Sequence, residues 1–126
     1  MEFEIYKYNP HKAPDSEKWL AMDEGDRIQV IADFHLNANI ELESVQAHSA
    51  IHAMVENQLA EKIPEVVAAY RKLRQKKVDR HNAIHAIGSV LAELFFDINK
   101  GNVTDSDPNV SYYRNLKKLK ASDWKR

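Results

Sequence analysis

The chain has 126 residues, of which 44% are hydrophobic and 29% are charged. These proportions predict one globular domain with a single buried core and exclude a disordered chain. Because the sequence contains no cysteine, disulfides, thiolate zinc sites, iron–sulfur clusters and a cysteine nucleophile are excluded, and a metal site would need nitrogen and oxygen ligands.

The charge is distributed unevenly along the chain. Residues 1–65 contain 5 Lys and Arg against 13 Asp and Glu, a net charge of −8, whereas residues 66–126 contain 13 against 6, a net charge of +7. Solvated helix faces are the simplest explanation, and attraction between the halves, within one chain or in a homodimer, is the alternative. The N-terminus lacks the apolar run of a signal peptide, and no stretch reaches the roughly 18 apolar residues of a membrane span. We therefore expect a cytoplasmic protein with no membrane partner.

Sparse glycine and proline, with apolar residues recurring every three or four positions between them, predict an all-α bundle of about five helices. Residues 1–14 contain two X-Pro breaks and are expected to form an irregular arm. Residues 15–99 are the predicted helical core, and residues 100–126 are a basic tail with one short helix starting near Val110. The side chains that would anchor the arm to the core are Phe3, Ile5, Tyr6 and Tyr8.

Capping residues and a proline set the predicted helix ends. Asp15 or Ser16 would cap the first helix, Pro64 would be the first residue of the fourth, and Asp79 would cap the fifth. The five predicted helices cover about residues 16–22, 24–37 and 43–62, a segment beginning at 64, and about residues 80–99.

Five of the six histidines sit in a pattern. His48 and His52 are four residues apart on the third predicted helix, and His81 and His85 are four apart on the fifth. Residues at this spacing share one helix face about 6 Å apart, so two imidazoles can reach one metal ion. Glu56 lies four positions beyond His52, where a carboxylate could be a further ligand, a partner for an imidazole or a base acting on metal-bound water.

The patterned histidines also lie on apolar helix faces. His48 and His52 fall in the middle of an apolar stripe, and His35 follows Ile28 and Ile31 along the inward face of the second helix. Each buried imidazole without a partner would cost roughly 1–3 kcal/mol, and a shared metal satisfies several together. A hydrogen-bonded histidine core is the alternative. The candidate metal ligands are His35, His48, His52, Glu56, His81 and His85.

Imidazole and carboxylate ligands suit a divalent transition metal such as zinc, iron, nickel or copper, and are too rich in nitrogen for magnesium or calcium. More than four ligands would allow a dinuclear site. Gly88 and Ala92 follow the second histidine pair, and their small size leaves room for a close helix or a bound ion. His11 lies in the irregular arm and is left out of the ligand set.

The run Ala47–Leu59 (AHSAIHAMVENQL), with His81-Asn82-Ala83-Ile84-His85 downstream, resembles a bacterial family of small helical proteins classed as a domain of unknown function. That family shows H-xxx-H-xxx-E-x-Q-L, a basic helix, and then a second H-xxx-H; the resemblance covers roughly residues 27–98. It implies a helical fold and a shared histidine cluster, and it carries no activity with it. Asn57-Gln58 would either orient the site or be exposed helix polarity.

Two functional classes remain open from the sequence. The first is a metal-dependent enzyme, and the second is a binding or structural protein whose histidines hold, store or sense a metal or form a hydrogen-bonded core. Nucleic-acid binding through the basic segment 71–77 with Arg80, and through the tail with its tyrosines and Trp124, is disfavoured by the acidic first half. The sequence lacks a nucleophile elbow, a Walker loop and a dinucleotide fingerprint.

Overall fold

A computed structural model describes residues 8–37, 45–102 and 106–124 of the chain. Across these ranges the regular structure is entirely helical, which confirms the all-α prediction. The described residues form six α-helices, the five predicted for the bundle and the short one predicted for the tail, and a 3₁₀ turn follows the last of them. The helices are α1 (Ser16–Ala21), α2 (Glu24–Asn37), α3 (Val45–Ala60), α4 (Pro64–Gln75), α5 (Arg80–Asn99) and α6 (Pro108–Leu116), and the turn covers Ala121–Asp123.

Local chemistry explains where these helices begin and end. The Asp79 carboxylate accepts a hydrogen bond from the Asn82 backbone N–H at 2.8 Å, so α5 starts at the predicted cap. Pro64 opens α4, as expected. The third helix stops two residues earlier than predicted, at Ala60, because Lys62 adopts a left-handed conformation with φ of 59°.

The short helix predicted for the tail is present and starts two residues before Val110. Helix α6 begins at Pro108, where the Asp107 carboxylate accepts a hydrogen bond from the Asn109 N–H at 3.0 Å. Tyr112 and Leu116 are buried, and α6 packs against α4 and α5. The tail therefore completes the core.

Helix α3 lies between two apolar clusters. Val55 belongs to the larger cluster, which joins α3 to α4, α5, α6 and the 3₁₀ turn. Ala53 belongs to the smaller cluster, which joins α3 to the arm, α1 and α2 through Tyr8, Trp19 and Ile31. Side chains from both the N-terminal and the C-terminal parts of the chain therefore pack against α3.

Helix α5 approaches α3 closely at Gly88. A Cβ atom at this position would lie 3.0 Å from Cγ2 of Ile51 and 3.9 Å from Cγ2 of Val55. The absence of a side chain at Gly88 thus allows close helix packing, one of the two explanations that the sequence suggested. Farther along α5 the predicted apolar face is only partly covered, since Phe95 and Ile98 are 37% and 41% exposed.

None of the described helices combines the length and the apolar character needed to cross a membrane.

Candidate metal centre

Helices α3 and α5 bring their two histidine pairs together in one row of rings. His48 faces His85 with ring centroids 5.0 Å apart, and His52 faces His81 at 5.5 Å. The earlier histidine of α3 thus meets the later histidine of α5, so the two helices run antiparallel at this point. Spacing of four residues on each helix is what aligns both pairs on the shared face.

Three of these histidines form a group whose geometry suits a metal ion. His48, His52 and His85 each offer a ring nitrogen, and the three nitrogens lie within 4.8 Å of one another. The ring centroids are 4.5 Å apart for His48 and His52 and 4.6 Å apart for His52 and His85. Nitrogens bound to tetrahedral zinc at about 2.0–2.1 Å are roughly 3.4 Å apart, so small ring rotations would bring the group to coordination distance.

The group lies at the boundary between core and solvent. His52 is 1% exposed, whereas His48 and His85 are partly exposed. A cleft of about 440 Å³ opens beside all three rings. The cleft is lined by Ala47, His48, Ile51, His52, His85, Gly88, Ser89, Ala92 and Trp124.

His81 continues the row on the side away from this cleft. Its ring centroid is 4.3 Å from that of His85, 5.7 Å from Phe34 and 5.6 Å from His11. His81 is outside the three-histidine group. His11 lies in the arm, outside the predicted ligand set, yet its ring packs against the cluster. No helical spacing indicates this contact, because the arm and α5 are far apart in the sequence.

Glu56 is engaged away from the group of three. Its two carboxylate oxygens accept hydrogen bonds from the Arg80 guanidinium at 2.6 and 2.8 Å, and the Tyr8 hydroxyl donates to Oε2 at 2.5 Å. Arg80 also donates to the Pro10 carbonyl at 2.9 Å, which ties the arm to α5. Both carboxylate oxygens of Glu56, one of the predicted metal ligands, are therefore engaged by Arg80 and Tyr8 and face away from the group of three.

Burial and the charge of Glu56 together shift the pKa values of Tyr8 and Arg80. Desolvation, reinforced by the negative charge of Glu56, raises the pKa of the Tyr8 hydroxyl well above its usual 10.0. Burial alone would lower the pKa of the Arg80 guanidinium, but the hydrogen bond and charge of Glu56 outweigh that effect and raise it. The guanidinium therefore stays charged and neutralises the carboxylate.

The two amides that follow Glu56 act as ties between helices. Oδ1 of Asn57 accepts hydrogen bonds from the Trp19 indole N–H and from Arg27, each at 2.9 Å. Oε1 of Gln58 accepts a hydrogen bond from the Tyr112 hydroxyl at 2.6 Å. Neither the orientation of metal ligands nor exposed helix polarity describes these contacts, since they join α3 to α1, α2 and α6.

His35 and Arg80 also differ from the roles that the sequence predicts for them or lie outside what the structure describes. His35 is part of α2, but its side chain lies outside the described residues. The sequence places Arg80 with the basic segment 71–77, but the structure separates it from that surface because its side chain is 5% exposed and paired with Glu56. Arg71, Lys72 and Arg74 remain exposed on α4.

Comparisons with protein-family models, with curated proteins and with solved structures found no match for this chain. The fold and the site alone therefore define the class of the molecule, a small all-α protein with a histidine group between two antiparallel helices.

Proposed function

We propose that the protein binds one divalent transition metal ion of the zinc, iron or nickel type through His48, His52 and His85. The observation that carries the proposal is the convergence of three ring nitrogens within 4.8 Å at the α3–α5 contact. Three imidazoles leave a tetrahedral ion one coordination position short. The ring of His81 packs against the ring of His85 and restricts its rotation.

The cleft favours a metal-dependent enzyme over a purely structural site. Structural zinc sites are closed by four protein ligands, whereas catalytic sites keep a position for water or substrate. The fourth position here would face the cleft of about 440 Å³, and ligand pockets usually measure roughly 300–1,000 Å³. A metal-bound water in that position would have a lowered pKa and could act as a nucleophile near neutral pH.

Metal titration of variants tests the proposed ligand set. Substitution of His48, His52 or His85 by alanine should weaken zinc binding at least about tenfold, measured at neutral pH by competition with a chromophoric chelator. His11→Ala is the matched control, because its ring lies beside the cluster but outside the group of three. Equal zinc affinity for the wild type and all three variants would refute the proposal.

His81→Ala separates a site of three histidines from one of four. Under this proposal the variant binds zinc with an affinity close to that of the wild type. A loss as large as that of His85→Ala would place His81 among the ligands.

Association between two copies through complementary charge is a second proposal, and the exposure of both charged regions supports it. Glu17, Asp23 and Glu24 are exposed at α1 and α2, as are Lys72 and Arg74 on α4. Sedimentation velocity at low and high salt tests it, because screening weakens contacts between exposed charges. A dimer that dissociates at high salt would support it, and a monomer at both salt concentrations would refute it.

A further inference from the structure

The cleft beside the three histidines has a composition that indicates what it would bind. Five of its nine lining residues are Ala47, Ile51, Gly88, Ala92 and Trp124, and no lining residue carries a carboxylate, ammonium or guanidinium group. Ser89 is polar, but its hydroxyl donates to the Ala86 carbonyl of its own helix at 2.7 Å. The wall away from the histidines therefore suits an apolar group.

The end of the cleft at the three histidines would instead favour a charged group, namely an anion. Three neutral imidazoles leave the two positive charges of a bound divalent ion uncompensated. The carboxylate of Glu56, four residues after His52, cannot compensate them, because Arg80 already neutralises it through two hydrogen bonds. A positive ion in a partly desolvated site favours an anionic fourth ligand.

Trp124 supplies the remaining wall from a different part of the chain. It follows the 3₁₀ turn and packs against the larger apolar cluster while lining the cleft. A half-buried indole fixed in this way offers a flat apolar surface for a ring or an alkyl chain.

We propose that the cleft binds small monocarboxylates with an apolar body, the carboxylate occupying the fourth position on the metal and the body lying against Trp124 and Ala92. This inference rests on the proposed metal site and specifies the class of molecule that the site accepts. The charge balance selects the carboxylate, and the lining residues select the apolar body.

Cobalt-loaded protein provides the test, because the visible spectrum of tetrahedral cobalt changes when its fourth ligand is replaced. The probes are acetate, phenylacetate and phenylacetamide. Phenylacetate should shift the spectrum with an affinity roughly tenfold or more above that of acetate, since apolar groups in a pocket contribute at least this factor. Phenylacetamide, which has the same body without the charge, should bind far more weakly.

Two variants locate the apolar body. Trp124→Ala should remove the advantage of phenylacetate over acetate, and Ala92→Phe, which fills the cleft from an exposed position on α5, should block phenylacetate while leaving cobalt bound. Phe96→Ala is the matched control, because Phe96 is 59% exposed and lies outside the cleft lining.

The outcomes distinguish this inference from the proposal on which it rests. Failure of the protein to take up cobalt would overturn both. Cobalt uptake with a spectrum that no carboxylate changes would overturn the inference alone, and so would equal affinities for acetate and phenylacetate. The inference would also fail if folded Trp124→Ala and Ala92→Phe proteins still preferred phenylacetate over acetate as strongly as the wild type does.

Discussion

At the scale of single residues, the ion pair between Glu56 and Arg80 is the most consequential contact outside the histidine group. Both side chains are at least 95% buried, as their exposures of 1% and 5% show. Breaking such a pair leaves one buried charge without compensation, and this usually costs far more than the pair contributes. The contact also fastens the arm, because Tyr8 and Pro10 bond to the same two side chains.

Replacing Arg80 by methionine should destabilise the protein by about 3–5 kcal/mol, because Glu56 would remain buried without its counter-charge. Urea denaturation followed by circular dichroism measures the loss. Arg71→Met on the exposed face of α4 is the control and should change the stability by no more than about 0.5 kcal/mol. An Arg80→Met protein as stable as the control would show that the pair is unimportant.

Tyr8 predicts how stability changes in alkali. Its pKa is raised in the folded protein above its ordinary 10.0, so folding favours the protonated hydroxyl. The resulting contribution is complete below pH 10 and declines as the pH rises above it, because the unfolded chain then ionises and the folded protein does not. Tyr8→Phe should lower stability at neutral pH and should flatten its decline above pH 10. Equal slopes for both proteins would contradict this.

At the scale of helices, the sequence predicted the helix ends correctly where capping residues and prolines set them. The Asp79 cap, the initial Pro64 and the range Glu24–Asn37 agree with the structure. The short helix of the tail is also confirmed, although it starts at Pro108 and not near Val110. The sequence could not show the surfaces of α4 and α5 against which Tyr112 and Leu116 pack, because those surfaces form only after folding. The exposure of Phe95 and Ile98 near the end of α5 has the same cause. Their apolar spacing predicts burial, but which helix faces are covered depends on how the helices pack.

The spacing between α3 and α5 depends on Gly88, and this predicts the effect of a larger residue. Gly88→Val would bring its side chain against Cγ2 of Ile51, which lies only 3.0 Å from a Cβ atom at this position. We expect a destabilisation of about 1–3 kcal/mol and weaker zinc binding, because the two helices that carry the ligands would move apart.

Gly25→Ala provides the contrast, since nothing lies within 4 Å of a Cβ atom there. That change should stabilise the protein by up to about 1 kcal/mol through helix propensity. Zinc affinity unchanged in Gly88→Val would show that the site does not depend on the α3–α5 distance.

At the scale of the whole molecule, the sequence predicted that the histidine pairs of α3 and α5 share one site, but it predicted neither the contact of His11 with His81 nor the other surroundings of the pairs. The spacing of four on two helices was enough to place His48, His52, His81 and His85 in one row. The pairing of Glu56 with Arg80 joins residues 24 positions apart, and no periodicity within one helix reveals such a contact. The cleft wall at Trp124 likewise depends on the path of the chain after α6.

The most direct test of the account is elemental analysis of untagged protein purified without added metal or chelator. We predict about one equivalent of zinc, iron or nickel per chain, retained in His11→Ala. The His52→Ala and His85→Ala variants should lose that metal and melt at lower temperature, because metal binding stabilises the folded state. A metal-free wild-type protein that also takes up none of these ions at neutral pH would contradict the account and make the histidines a hydrogen-bonded core.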